Sequence, residues 1–216
     1  MDVLSPEELR VLGALMEKGA TTPEQYPLTM NALLLACNQN SNRNPVVNYD
    51  QSVVEPVLAR LRSAGLARVV HSPSNRAAKY RHVVHEMWGL TAGEVAVLAV
   101  LALRGSQTAN ELAQRTERYS GLEEMGGVEG VLHRLRNRYE EPYVVRLERR
   151  PAQREERWAH LLAGEVLYVP EDPAQGTGRV AGTAERLSAM EQLVAGLATE
   201  VAKLRQDVEQ VRMLLD

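Results

Sequence analysis

Val54-Glu55-Pro56-Val57-Leu58-Ala59-Arg60-Leu61-Arg62 returns further along the chain as Val128-Glu129-Gly130-Val131-Leu132-His133-Arg134-Leu135-Arg136, identical at seven of nine positions. The surroundings repeat as well. Leu4, Ser5, Glu8, Val11, Leu12, Leu15 and Gly19 are echoed, at one fixed spacing, by Leu90, Thr91, Glu94, Val97, Leu98, Leu101 and Gly105. An internal duplication governs the reading of everything else, because each copy is one supersecondary unit. Two copies are too few for a solenoid. The chain therefore reads as two similar small domains, residues 1–86 and 87–168.

Both copies spell the same order of elements. Ser5-Pro6-Glu7-Glu8 and Thr91-Ala92-Gly93-Glu94 are capping boxes, in which the hydroxyl accepts a free backbone N–H and the glutamate reaches back. Leu9, Leu12, Leu15 and Met16 then form one apolar stripe that Gly19 ends, as Gly105 does in the second copy. A second helix is expected from Thr29 to Asn38 and from Thr108 to about Glu117. The duplicated nine residues are the third helix, with Val54, Val57, Leu58 and Leu61 at helical spacing, as are Val128, Val131, Leu132 and Leu135. The period then changes. Leu66–Val70 and Tyr143–Leu147 read as strands, each followed by a polar turn and a second short strand, Ala78–Val83 and Glu156–Leu161. Three helices and a hairpin in that order describe a winged helix, whose third helix commonly enters a DNA major groove. The expected fold class is mainly α with small β-hairpins (α+β): tandem winged helix-turn-helix domains followed by a C-terminal coiled-coil helix.

Several motifs resemble those of the YceH family of bacterial proteins: Thr21-Thr22-Pro23-Glu24-Gln25-Tyr26-Pro27-Leu28, Ala36-Cys37-Asn38-Gln39 and Asn42-Arg43-Asn44-Pro45-Val46 in the first half, then Arg104-Gly105-Ser106-Gln107-Thr108 and Pro142-Tyr143-Val144-Val145-Arg146-Leu147 in the second. The resemblance covers roughly residues 4 to 168. It implies a tandem winged-helix fold and carries over no functional residues.

The remaining chain has a different character. Residues 169–183, rich in Pro and Gly, read as a linker. In residues 184–216, Leu187, Met190, Val194, Leu197, Val201, Leu204, Val208, Val211 and Leu215 alternate spacings of three and four, a coiled-coil seam. With Leu187 at position a, branched a residues and leucine-rich d residues favour a parallel dimer. Arg186–Glu191, Glu200–Arg205 and Asp207–Arg212 become opposite-sign pairs between strands of the coil. The other reading is a helix packed against its own domains.

Composition narrows the function classes. The chain has 216 residues, no Phe, two Trp and 44% hydrophobic residues, so its cores are Leu/Val/Ala packing suited to helices. Cys37 is alone, which excludes an internal disulfide framework and multi-cysteine zinc sites. The N-terminal residues lack a signal peptide's basic and apolar regions. The longest apolar run, Val95 to Leu103, is about half the roughly 20 residues needed to cross a bilayer. A cytoplasmic protein is expected. Cys37 lies in an apolar helix and reads as a buried thiol. His82-x-x-His85 reads as surface or half-buried histidines, since no further ligand accompanies the pair. Gly126-Gly127 opens a helix and forms no phosphate-cradling loop. No catalytic residue, metal, cofactor or small-molecule ligand is indicated, and an enzyme is not expected.

The formal charge of −3 gives no global attraction to nucleic acid, so binding must come from a local patch. One is evident. From Pro56 to His82 the chain carries Arg60, Arg62, Arg68, Arg76, Lys79 and Arg81 and no acidic residue. Arg43, in the run Asn38–Asn44, offers further donors, although those polar residues also suit a solvated turn. In the second copy Arg149 and Arg150 stand out, but glutamates nearly offset its charge. Glu55 and Glu129, where base edges would be read, repel phosphates, which favours general phosphate attraction over base readout; Glu55 also suits a cap with Ser52. The reading is a DNA-binding, transcription-regulator-like homodimer whose candidate phosphate contacts are Arg43, Arg60, Arg62, Arg76, Lys79, Arg81, Arg149 and Arg150. The alternative is a protein–protein interaction adaptor that uses the same domains as docking surfaces, with Tyr119, Leu122 and Met125 marking the groove.

Overall fold

Helix α1 (Pro6–Thr21) begins where the sequence places it: Ser5 Oγ accepts from the Glu8 amide, and the Glu8 carboxylate accepts from the Ser5 amide. The computed structural model describes residues 3–71, 77–139, 141–149 and 155–164. A two-residue strand β1 (Leu28–Thr29) follows, then α2 (Met30–Cys37), capped by Thr29, and α3 (Gln51–Ser63). The cap of α3 is Asp50, whose carboxylate accepts from the Val53 amide and from the Ser52 hydroxyl. This corrects the expected Ser52–Glu55 cap; Glu55 instead accepts from Gln51 Nε2. Gly65, at φ +72°, turns the chain out of α3 into β2 (Ala67–Val70) and β3 (Lys79–His82), and α4 (Val84–Trp88) closes the repeat.

The second repeat retraces this path through α5 (Ala92–Arg104), β4 (Gln107–Thr108), α6 (Ala109–Thr116), α7 (Gly127–Arg136), β5 (Val144–Leu147) and β6 (Arg157–His160). Capping boxes start both α5 and α6. Each repeat builds a three-stranded antiparallel sheet, ordered β1-β3-β2 and β4-β6-β5, with matching registers: Leu28 pairs with Tyr80, and Gln107 with Trp158. The fold is thus mixed α+β, with seven α-helices and two small sheets among the described residues. The short edge strands β1 and β4 and the helix α4 carry too few residues to leave a periodic signal.

Residues Met1–Leu167 form one compact unit, so both repeats share a body. Helices α1 and α5 pack against each other at its centre. Leu12, Leu15, Leu98 and Leu101 are fully buried there, each worth roughly 1.5–3 kcal/mol relative to exposure. Gly13 permits the approach, since a Cβ on it would stand 3.0 Å from Leu103 Cγ. Backbone bonds tie the repeats together: the Asn44 amide donates to Leu103 O at 2.8 Å, and the Leu4 amide to Leu162 O at 2.9 Å. The expected linker, the coil seam from Leu187 to Leu215, and Arg76 and Arg150 lie outside the described residues.

Candidate nucleic-acid interface

Helix α3 turns Val54, Val57, Leu58 and Leu61 into the core and leaves Glu55, Ala59, Arg60 and Arg62 exposed. Helix α7 does the same with Val128, Val131, Leu132 and Leu135 inside and Glu129, His133, Arg134 and Arg136 outside. The two arginines of the duplicated motif then part company. Arg60 Nε donates to Glu8 Oε1 at 2.8 Å. At the equivalent place Arg134 Nε stands 3.5 Å from Glu94 Oε1. The first arginine of the motif therefore ties the third helix to the capping-box glutamate of the first helix, in both repeats. Glu8 responds: the Ser5 amide first, and Arg60 second, hold its carboxyl below the ordinary carboxylate range. The second arginine, Arg62 or Arg136, has no ion pair among the described residues and faces solvent.

The acid-free run breaks up in the same way. Glu86 on α4 takes Arg68 Nη1 at 2.8 Å and Arg81 Nη2 at 3.0 Å, and these contacts, Arg81 foremost, depress its pKa. Arg60, Arg68 and Arg81 of the run thus meet acids supplied from before and after it. Lys79, half-buried on β3, has no ion pair among the described residues.

Arg43 requires a correction. Only 6% exposed, it donates from Nη1 and Nη2 to the two Glu17 carboxylate oxygens at 3.0 and 2.6 Å, and from Nε and Nη2 to Ala36 O. It closes the end of α2 and has no face left for a phosphate. Arg10 works beside it, donating to Cys37 O and Pro45 O. The Asn-rich loop is thus pinned from beneath by two buried arginines, while Asn38 exchanges bonds with the Tyr49 backbone. Sequence reading missed this because a buried arginine and an exposed one look alike without their partners. The Glu8–Arg60 and Glu94–Arg134 repetition was the one signal available for the ion pairs.

In the second repeat an open groove of about 820 Å3 runs between α7 and the β5–β6 hairpin. Asn110, His133, Arg136, Arg146 and Arg149 line it, together with Glu129, Glu155 and Glu156. Arg146 pairs with Glu156, and Arg157 with Glu111 at 3.0 Å. Arg136 and Arg149 remain as its exposed cations without an ion pair among the described residues.

The other singled-out side chains are structural. Cys37 is fully buried, and burial pushes its thiol up to about 12, only partly offset by Arg43 and Arg10. His82 is buried beneath Gly19, with its ring 5.3 Å from that of His85 and its amide donating to the Tyr26 hydroxyl at 2.7 Å. Burial first, then the charges of His85 and Arg81, lower its pKa to about 4. Tyr119, Leu122 and Met125 pack inward against the core, which removes the apolar groove expected of the second repeat. The strongly exposed apolar side chains of the first repeat include Leu35, Val46 and Met87. No helix among the described residues is long and apolar enough to cross a membrane.

Residues 4–153 match the family described as "Protein of unknown function, DUF480". A UPF0502 protein of Pelobacter propionicus is 45% identical over 211 residues, covering 96% of this chain and 95% of the relative. Those of Solibacter usitatus and Serratia proteamaculans are 44% and 40% identical over 206 and 210 residues, each covering 95% of this chain and 98% and 94% of the relative. A match of this length to one family, together with the motifs around Thr21 and Asn42, places the chain: it belongs to the DUF480/UPF0502 family, the YceH-type family that its sequence resembles.

Proposed function

We propose that each repeat is a winged-helix module and that the protein binds duplex DNA through the exposed faces of α3 and α7 and the hairpins beside them. The observation that carries this reading is the pair of equivalent arginines, Arg62 and Arg136, exposed in the last turns of the two third helices. Each leaves an element that begins by burying its apolar face and ends by presenting a cation. Lys79 on one hairpin side and Arg149 on the other extend the positive character, as do Arg76 and Arg150 by sequence. Glu55 and Glu129 at the opposite ends of those helices oppose phosphates, so the contact is to the backbone and is largely independent of base sequence. The C-terminal seam from Leu187 to Leu215 pairs two chains in parallel and presents four modules together.

The adaptor reading has its own support in the first repeat, where Leu35 on α2 is 73% exposed. It predicts a protein partner on that face and no affinity for DNA.

Salt-titrated binding to a mixed-sequence duplex tests the proposal. The native chain should bind at low salt, and Arg62→Ala, Lys79→Ala and Arg136→Ala together should lower the salt slope by about 0.9 for each phosphate no longer neutralised. A native chain that does not bind at low salt overturns it, as does a triple variant with unchanged affinity and slope.

A further inference from the structure

A second concave site lies where the two repeats meet. The C-terminal ends of α1, α5 and α6 converge around a cleft of about 510 Å3, into which Lys18, Arg104, Arg115 and Arg118 bring four cations. Each of the first three stands in the last turn of its helix, where a cation complements the helix dipole. That accounts for each residue singly. It does not account for their gathering in one cleft, where Lys18 and Arg115 have ion pairs but Arg104 and Arg118 have none among the described residues.

The acids present are largely committed or peripheral. Glu17 has both carboxylate oxygens taken by Arg43 and also pairs with Lys18, whose Nζ lies 3.4 Å from Oε2 and donates to Gln39 Oε1 at 3.4 Å. Glu117 is exposed. Arg115 is only partly satisfied: its Nη2 forms a long ion pair with Glu111 Oε1 at 3.7 Å, and its Nη1 has no acceptor among the described residues, although the side chain as a whole is 30% exposed. Arg104 donates to Asn42 Oδ1, and both burial and the neighbouring Arg115 charge weigh against its own. Like charges held together in a half-dry cleft are unfavourable unless an anion joins them. Tyr119 adds an apolar, half-buried ring to the wall.

We infer that this cleft binds a small organic phosphate, held by Arg115 and Arg104 with Lys18 in support. The guanidinium fork suits phosphate oxygens bidentately, and a lysine adds a mobile point charge. The volume falls in the range of small-ligand sites and holds a molecule of about mononucleotide size. Because the site joins α1 and the loop at Asn42 to α5 and α6, its occupant bridges the two repeats. The assignment is independent of the DNA-binding reading.

Pyrophosphate, titrated calorimetrically into the full-length protein at low and constant ionic strength, is the probe. Saturable one-to-one binding per chain is expected, weakened at least tenfold in Arg115→Ala. Among the described residues Arg115 makes no side-chain hydrogen bond and only the long ion pair to Glu111, so folding should survive; Lys18→Gln, expected to weaken binding severalfold, serves if it does not. No binding by the native chain overturns the inference, as does equal binding by both the Arg115 and Lys18 variants. It also fails if Arg115→Ala loses affinity for duplex DNA while pyrophosphate binding is intact, because the cleft would then hold a backbone phosphate.

Discussion

Arg43 and Glu17 form a bidentate pair, 3.0 and 2.6 Å, beneath a loop whose surface is polar. The pair joins the end of α1 to the end of α2, because the same guanidinium also caps Ala36 O. Breaking a buried pair by removing one partner leaves the other charge unpaired. Arg43→Ala should therefore lower unfolding stability by about 3–5 kcal/mol, read from urea denaturation. A decrease below about 1 kcal/mol would show that water reaches Glu17 freely.

Arg60 and Arg134 look like equal partners of Arg62 and Arg136 in the duplicated motif, yet they face the capping-box glutamates. Replacing Arg60 and Arg134 with alanine should reduce the salt slope of DNA binding less than replacing Arg62 and Arg136. Equal reductions would mean that the ion pairs open on contact with DNA.

Gly130 occupies the place that Pro56 holds in the first repeat. A helix interior normally gains up to about 1 kcal/mol when glycine becomes alanine. Here a Cβ would run into the backbone carbonyl of Met125. Gly130→Ala should destabilise the protein, measured as a fall in Tm. A rise would show that the turn at Glu123–Met125 yields without cost.

His82 and His160 are both held near a pKa of about 4, by burial first, and each has an Nδ1 without a partner among the described residues. Both are neutral in the folded state, while the unfolded chain takes up protons near the ordinary value of about 6.5. Between those values the unfolded state binds more protons, so stability is full above about pH 6.5 and falls as pH drops toward 4. The decrease reaches at most about 3 kcal/mol per histidine. Glu8, Asp50 and Glu86 have lowered carboxyl pKa values and lose their contributions only below the ordinary carboxylate range. Chemical denaturation of a His82→Gln, His160→Gln variant should show a flatter profile between pH 6.5 and 4.5; an unchanged slope would refute the assignment.

The C-terminal seam sets the oligomeric state in the proposed function. Sedimentation of the native chain at micromolar concentration should give a dimer, and Val201→Asp with Leu204→Asp a monomer with folded repeats. A monomeric native chain would place the helix elsewhere.

The duplication, the order of helices and hairpins, and the caps at Ser5 and Thr91 were legible in the sequence, because each rests on contacts within a few residues or on strict periodicity. The burial of Val54, Leu58, Leu132 and Leu135 followed from the same helical spacing. Charge was not legible in this way. An ion pair joins side chains from distant parts of the chain, so a run without acids says nothing about the glutamates that folding brings to it. Tertiary structure alone decided that Arg60, Arg68 and Arg81 meet Glu8 and Glu86, that Arg43 lies buried on Glu17, and that Lys18, Arg104 and Arg115 share one cleft. The short strands at Leu28 and Gln107 belong with these, since a two-residue strand is defined by the partner it pairs with and not by its own residues.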